Sequence, residues 1–256
     1  PPLIKWGVIG ILSGLMHMTR ADGIIWFVVG MVILTIQIKK SKISEITQNI
    51  LLYVVGYFLI TFPWYLRNIS YFGSIFPQGN SRTLWLTNYN QTFLFSLKEL
   101  TFSSWLNQGL KLILSARLDA LWMNIKNILA FQSMVILLPF MVITIWKLRK
   151  KNLIRFNVFM LGVTLFVMTV IFPFAGSRGG FIHSAASCQI LLWAIVPFGL
   201  SQIIEYAGKK RNWGIDHAFQ FFSICLLGFL VLSTLVIFPQ RVLKVENGLQ
   251  LWSKHE

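Results

Sequence analysis

The sequence predicts an all-α fold: a polytopic bundle of about seven apolar transmembrane helices, with one further helix along the outer interface. Three observations predict it. The chain is 55% hydrophobic and 12% charged, with a mean hydropathy of +0.67, which is more apolar than a single soluble core can hide. Its apolar residues fall in long runs that contain no central charge. Those runs are continuous Leu, Ile, Val and Phe without period-two alternation, so they fit helices and not barrel strands, the two structures that satisfy backbone polar groups in lipid.

The runs cover residues 3–18, 23–38, 50–66, 128–146, 156–174, 185–204 and 218–238. The first two fall short of the roughly 20 residues of an untilted span, so they are either short tilted helices or a re-entrant hairpin. Orientation comes from Lys39-Lys40-Ser41-Lys42, Lys147-Leu148-Arg149-Lys150-Lys151 and Lys209-Lys210-Arg211, which recur after every second run. Short basic loops of this kind stay cytoplasmic. They also absorb much of the net charge of +15, which is therefore a topology signal and not a nucleic-acid footprint. The opposite side receives Thr19-Arg20-Ala21-Asp22-Gly23, residues 67–127, residues 177–184 and the tail after Pro239.

Within 67–127, Leu106, Leu110, Ile113 and Leu114 fall on one helical face and Asn107, Gln108, Lys111 and Ser115 on the other. That pattern predicts an interfacial helix, with Trp105 and Trp122 as headgroup-level anchors. Cys188 and Cys225 lie inside apolar runs and read as small buried hydrophobes, with no disulfide and no metal site expected. No repeat or soluble domain interrupts the pattern, so residues 1–256 are expected to form one membrane domain. The opening Pro1-Pro2 has neither an initiator Met nor a signal sequence ahead of the first run, and it reads as the middle-to-C-terminal part of a longer chain.

Ionisable groups are absent from the middles of the runs, which argues against an ion path through the bilayer. Polar groups gather instead at the outer ends, in three clusters. In His17-Met18-Thr19-Arg20-Ala21-Asp22-Gly23, Asp22 can cap the following helix, and Arg20 offers a fork for phosphate or carboxylate. The same residues could instead form a hairpin corner with an internal Arg–Asp pair, and His17 is more readily a packed, hydrogen-bonded histidine. In Pro63-Trp64-Tyr65-Leu66-Arg67-Asn68, Pro63 bends a helix end and Arg67 emerges at headgroup depth, as a ligand contact or as a snorkelling side chain. In Gly176-Ser177-Arg178-Gly179-Gly180-Phe181-Ile182-His183-Ser184, the glycines let backbone approach an anion at a helix start, and Arg178 adds charge. The alternative there is a membrane-edge arginine in a loop, with His183 as a cap. The tripeptides Asn68-Ile69-Ser70 and Asn90-Gln91-Thr92 are glycosylation sequons only in a eukaryotic setting.

At these clusters the chain resembles the GT-C superfamily of membrane glycosyltransferases, especially bacterial relatives of the protein mannosyltransferases and aminoarabinose transferases. The resemblance is carried by Gly14-Leu15-Met16-His17-Met18-Thr19-Arg20-Ala21-Asp22-Gly23, by Pro63-Trp64-Tyr65-Leu66-Arg67-Asn68 with Phe72-Gly73-Ser74-Ile75-Phe76-Pro77, and by the Arg178–Ser184 segment. It spans about residues 11–197. It implies transfer of a sugar from a polyprenyl-phosphate donor to an acceptor glycan, lipid or protein. The reaction is an inverting displacement at the non-cytoplasmic face of a plasma membrane, bacterial by the resemblance. Arg20, Asp22, Arg67, Asn68, Arg178 and His183 become the candidate donor-phosphate and substrate contacts. Members of this superfamily carry their carboxylate base in a first outer loop, which here would lie upstream of residue 1. The chain by itself is therefore expected to be inactive. No cofactor is assigned, and a divalent metal stays open. The rival readings are another polyprenyl-phosphate envelope enzyme, such as a polymer ligase, and a flippase or transporter.

Overall fold

The computed structural model describes residues 2–36, 43–76, 80–93 and 100–253. Among the described residues the regular structure is helical, with no strand. Among the described residues four helices are long and apolar enough to cross a bilayer: Ile43–Phe72, Asn152–Ile171, Pro173–Arg211 and Ile215–Val236. They carry four of the expected runs, and a multi-pass membrane protein is compatible with them. The other three runs give α1 (Pro2–Thr19, 18 residues), α2 (Ile24–Ile36, 13 residues) and a broken segment. Expected as one span over 128–146, that segment is a π-helical turn at Ile128–Gln132 followed by an irregular stretch. There Met134 and Val135 take left-handed φ of 46° and 58°, before α6 (Leu138–Leu148) begins. Hydropathy does not register the reason: Pro139 has no N–H and is accommodated in the first turn of a helix but not in its interior.

The chain divides into two compact units, Pro1–Gln132 with Val158–Cys188, and Ser133–Asn157 with Gln189–Glu256. In the first unit α1 lies along α3 (Ile43–Phe72) at backbone contact. A Cβ on Gly10 would run into the Tyr53 carbonyl, and one on Gly56 into the Gly7 carbonyl, so small residues set the approach as they do between membrane helices. Two buried tyrosines of α3 bridge the elements. Tyr53 Oη meets Ser13 Oγ at 3.0 Å and donates toward the Trp26 and Phe27 carbonyls, each 3.1 Å away. Tyr57 Oη meets His17 Nδ1 at 2.5 Å and Tyr65 Oη at 3.1 Å.

Helix α3 runs for 30 residues and continues through Pro63 to Phe72, so Arg67 and Asn68 sit on its last turns and not in a loop. The turn behind it is closed by the Gly73 N–H on the Ile69 carbonyl at 2.9 Å, with Gly73 at φ +66°, and by the Asn68 amide donating to the Ile75 carbonyl at 2.9 Å.

The outer stretch folds as 3₁₀ turns Asn80–Trp85 and Tyr89–Phe93, then α4 (Phe102–Leu106) and α5 (Leu110–Asn127). The expected continuous face Leu106–Leu110–Ile113–Leu114 is not formed, because α4 ends at Leu106 and Gly109, at φ +86°, precedes a fresh helix. The buried residues of α5 are Ile113, Ala120, Asn124 and Asn127, while Leu110, Leu114, Leu118 and Trp122 form an exposed apolar column one helical turn apart. Buried amides and exposed leucines are the reverse of a soluble helix and suit a lipid-contacting one.

In the second unit α6 packs on α10 (Val196–Arg211). There Gly199 admits the Phe140 carbonyl, and Thr144 Oγ1 lies 3.0 Å from the Ile195 carbonyl. Helix α11 (Ile215–Ser253) has none of its apolar window 215–236 buried. The basic cluster 39–42 lies outside the described residues; Lys150 and Lys151, and Lys209, Lys210 and Arg211, are exposed at helix ends.

Candidate functional site

The first sequence cluster and part of the third come together although more than 160 positions separate them. After α1 the chain turns at Arg20 (φ −154°, ψ 141°) into a short 3₁₀ turn, Ala21–Gly23. Gly23 is buried with its Cα against the Met16 carbonyl, where a Cβ would collide, so the Asp22-Gly23 pair folds the corner back onto α1. This turn aims the Asp22 carboxylate at α9 (Phe181–Ala194). Ser184 of α9 donates to Asp22 Oδ2, sharing its single proton with the Gly180 carbonyl at 2.8 Å. On the other oxygen, Arg20 Nε donates to Oδ1 at 2.9 Å. The Asp22 side chain is only 14% exposed, so two donors offset much of the cost of holding it away from water.

A cavity of about 160 Å³ opens at this carboxylate, lined by Arg20, Asp22, His183, Ser184, Ser187 and Thr164 among others. Trp26 also borders it. The chemistry on offer is one carboxylate, one guanidinium, an imidazole and several hydroxyls beside an indole. That set suits a polyhydroxylated ligand, whose hydroxyls need paired donors and acceptors while its apolar face rests on an aromatic ring. No family model, curated protein or solved structure matches the chain.

Arg178 occupies a different cavity. It sits at the kink between α8 (Pro173–Ala175) and α9, with φ −95° and ψ 23°, and is followed by Gly179 at φ +108°. Its guanidinium lies 4.8 Å from the centre of the Tyr89 ring. The cavity, of about 280 Å³, is lined by Thr83, Tyr89, Thr92, Arg117, Pro173 and Arg178 among others. Arg117 of α5 is held by its own helix, Nη1 donating to the Ile113 carbonyl at 3.0 Å, and by the Trp105 ring at 5.2 Å. Trp105 packs in turn on Trp85 and Phe102.

Arg67 joins neither cavity. It stands over Tyr71 at 5.8 Å on the exposed end of α3. Asn68 is 1% exposed and its amide donates to the Ile75 carbonyl. His17, the histidine read as packed, is buried against Tyr57. Among the described residues no three His, Cys, Asp or Glu side chains come together.

Sequence reading did not single out Thr164, Ser187, Trp26, Tyr89 or Arg117. For Arg117 a signal existed: it shares a helical face with Ile113, Ala120, Asn124 and Asn127, a mixed polar face that only burial against other polar groups explains. Asn124 of that face donates to Thr169 Oγ1 at 3.1 Å.

Proposed function

We propose that this chain is part of a membrane glycosyltransferase that moves a sugar from a polyprenyl-phosphate donor to an acceptor at the non-cytoplasmic membrane face. The observation that carries the reading is the meeting of Asp22 and Ser184 over a polar cavity at a helix-hairpin corner. Two of the segments that carry the GT-C resemblance thereby share one cavity. Arg178, in the kink ahead of the helix that carries Ser184, borders the second, arginine-lined cavity.

In this reading an acceptor oxygen or nitrogen attacks the anomeric carbon, forming the new glycosidic bond. The bond from that carbon to the phosphate oxygen breaks, its electron pair leaves with the polyprenyl phosphate, and the acceptor's proton passes to a carboxylate base. Arg178 stabilises the charge that accumulates on the leaving phosphate. Asp22, held by Arg20 and Ser184, binds sugar hydroxyls and orients them; the role of base is not assigned to it. The apolar α5 column and the exposed faces of α3 and α11 meet the bilayer that delivers the lipid donor.

The test is transfer of labelled sugar from polyprenyl-phosphate sugars in membranes containing the full-length protein, with Asp22→Asn and Ser184→Ala beside the wild type. Transfer by the wild type that falls at least tenfold in Asp22→Asn supports the reading. Transfer at an unchanged rate in both variants would remove this cavity from the reaction, and no transfer from any polyprenyl-phosphate sugar would remove the reaction.

A further inference from the structure

We infer that Arg117 and Arg178 together form a phosphate-binding pocket, in which two guanidinia from separate elements grip one phosphate or diphosphate group. The inference deepens the transferase reading, and it rests on that reading only in assigning Arg178 to a phosphate.

Both side chains line the same cavity, one from α5 and one from the kink ahead of α9. Among the described residues that line it none is acidic, and neither arginine is ion-paired there; the Arg20–Asp22 pair is elsewhere. Two like charges that share a cavity without a counter-charge repel each other, and an anion between them removes that cost. Arg117 is partly buried, and burial pulls its guanidinium below the ordinary arginine value with no carboxylate to offset it.

Each guanidinium is also placed in advance. Arg117 rests on the Trp105 face and tethers one Nη to a backbone carbonyl, and Arg178 rests on the Tyr89 face. Stacking on a ring occupies the guanidinium plane and leaves donors at its edge for a bidentate contact. Thr92 borders the same space and carries a hydroxyl, a group able to donate to a phosphate oxygen. The cavity, about 280 Å³, is large enough for a diphosphate.

The phosphate could reach this pocket free in solution or on a lipid headgroup, and the experiment separates the two. The full-length protein is placed in phosphatidylcholine nanodiscs at low salt and titrated calorimetrically with inorganic pyrophosphate. In a second arm its thermal unfolding is followed in nanodiscs containing phosphatidylcholine with one-fifth phosphatidic acid. Variants are Arg117→Gln, Arg178→Gln, the pair, Arg117→Lys, and Arg155→Gln as an exposed arginine outside the cavity.

The inference predicts saturable binding that weakens at least tenfold in either Gln variant, with little further loss in the pair. It predicts partial recovery in Arg117→Lys, which also guards against a simple folding defect, and no change in Arg155→Gln. Pyrophosphate binding identifies a soluble or diphosphate source, and stabilisation by phosphatidic acid alone identifies a monoester headgroup; either supports the pocket. Binding that survives Arg117→Gln while Arg178→Gln loses it would overturn the pair and leave the Arg178 donor contact standing. Absence of response in both arms would overturn the pocket. If the pocket binds phosphate and the protein transfers no sugar, the pocket stands and the transferase reading fails.

Discussion

At the scale of single residues, side chains that read alike in the sequence take very different roles. Arg20 and Arg178 both read as phosphate contacts from sequence, yet Arg20 is spent on Asp22 and Arg178 faces a cavity with a second arginine. Arg20 meets a partner two residues along, a pair the sequence itself offers, whereas the neighbours of Arg178, Tyr89 and Arg117, come from distant segments that sequence spacing does not bring together. His17 was legible as a packed histidine because a lone imidazole on an apolar helix needs a buried partner, and Tyr57 supplies it.

Two expectations follow at this scale. If Arg178 grips the leaving phosphate, Arg178→Ala in the full-length enzyme lowers turnover about a hundredfold, on the order of 3 kcal/mol of transition-state stabilisation. Arg178→Lys recovers only part, because a point charge does not reproduce a planar fork. Transfer rates normalised to folded protein check this, and equal rates for Lys and wild type would mean the side chain merely snorkels. Tyr57→Phe, by contrast, leaves His17 and Tyr65 without their shared partner. It costs about 1–3 kcal/mol of stability, with turnover per folded molecule unchanged; chemical denaturation in detergent measures the first and the transfer assay the second.

At the scale of elements, helix content was legible because apolar runs in lipid leave few alternatives, and the ends of α3, α5 and α6 were not. Pro63 reads as a bend near the end of a helix, and α3 passes through it to Phe72, since a membrane helix tolerates a lost hydrogen bond when neighbours pack closely. Pro139 looked like part of a span, yet it starts α6. The two prolines differ in what lies upstream of each: the helical run from Ile43 ahead of Pro63, and the left-handed Met134 and Val135 ahead of Pro139. Neither is encoded in a hydropathy sum. The close pairing of α1 with α3 makes a quantitative contrast available. Gly10→Ala drives a methyl group into the Tyr53 carbonyl and is expected to cost about 1–3 kcal/mol through backbone displacement. Gly162→Ala on α7 (Asn152–Phe166) meets no atom within 4 Å, so it is neutral or stabilising by up to about 1 kcal/mol. Midpoints of SDS-induced unfolding in mixed micelles report both, and indistinguishable midpoints would contradict the tight α1–α3 approach.

At the scale of the whole molecule, the account depends on sidedness. The Asp22 cavity and the arginine cavity belong to one compact unit, and the basic segments 147–151 and 209–211 end helices elsewhere in the chain. The proposed reading puts those segments in the cytoplasm by the positive-inside rule, and the two cavities at the non-cytoplasmic face. Substituted-cysteine labelling in intact cells tests that assignment most directly, with Cys188 and Cys225 first replaced by alanine and single cysteines introduced at Lys150, Lys210, Thr19 and Tyr89. The account predicts that a membrane-impermeant maleimide reaches Thr19→Cys and Tyr89→Cys from outside, and reaches Lys150→Cys and Lys210→Cys only after the membrane is permeabilised. Labelling of Lys150→Cys in intact cells, with Thr19→Cys and Tyr89→Cys protected, would place the cavities on the cytoplasmic side and contradict the central claim.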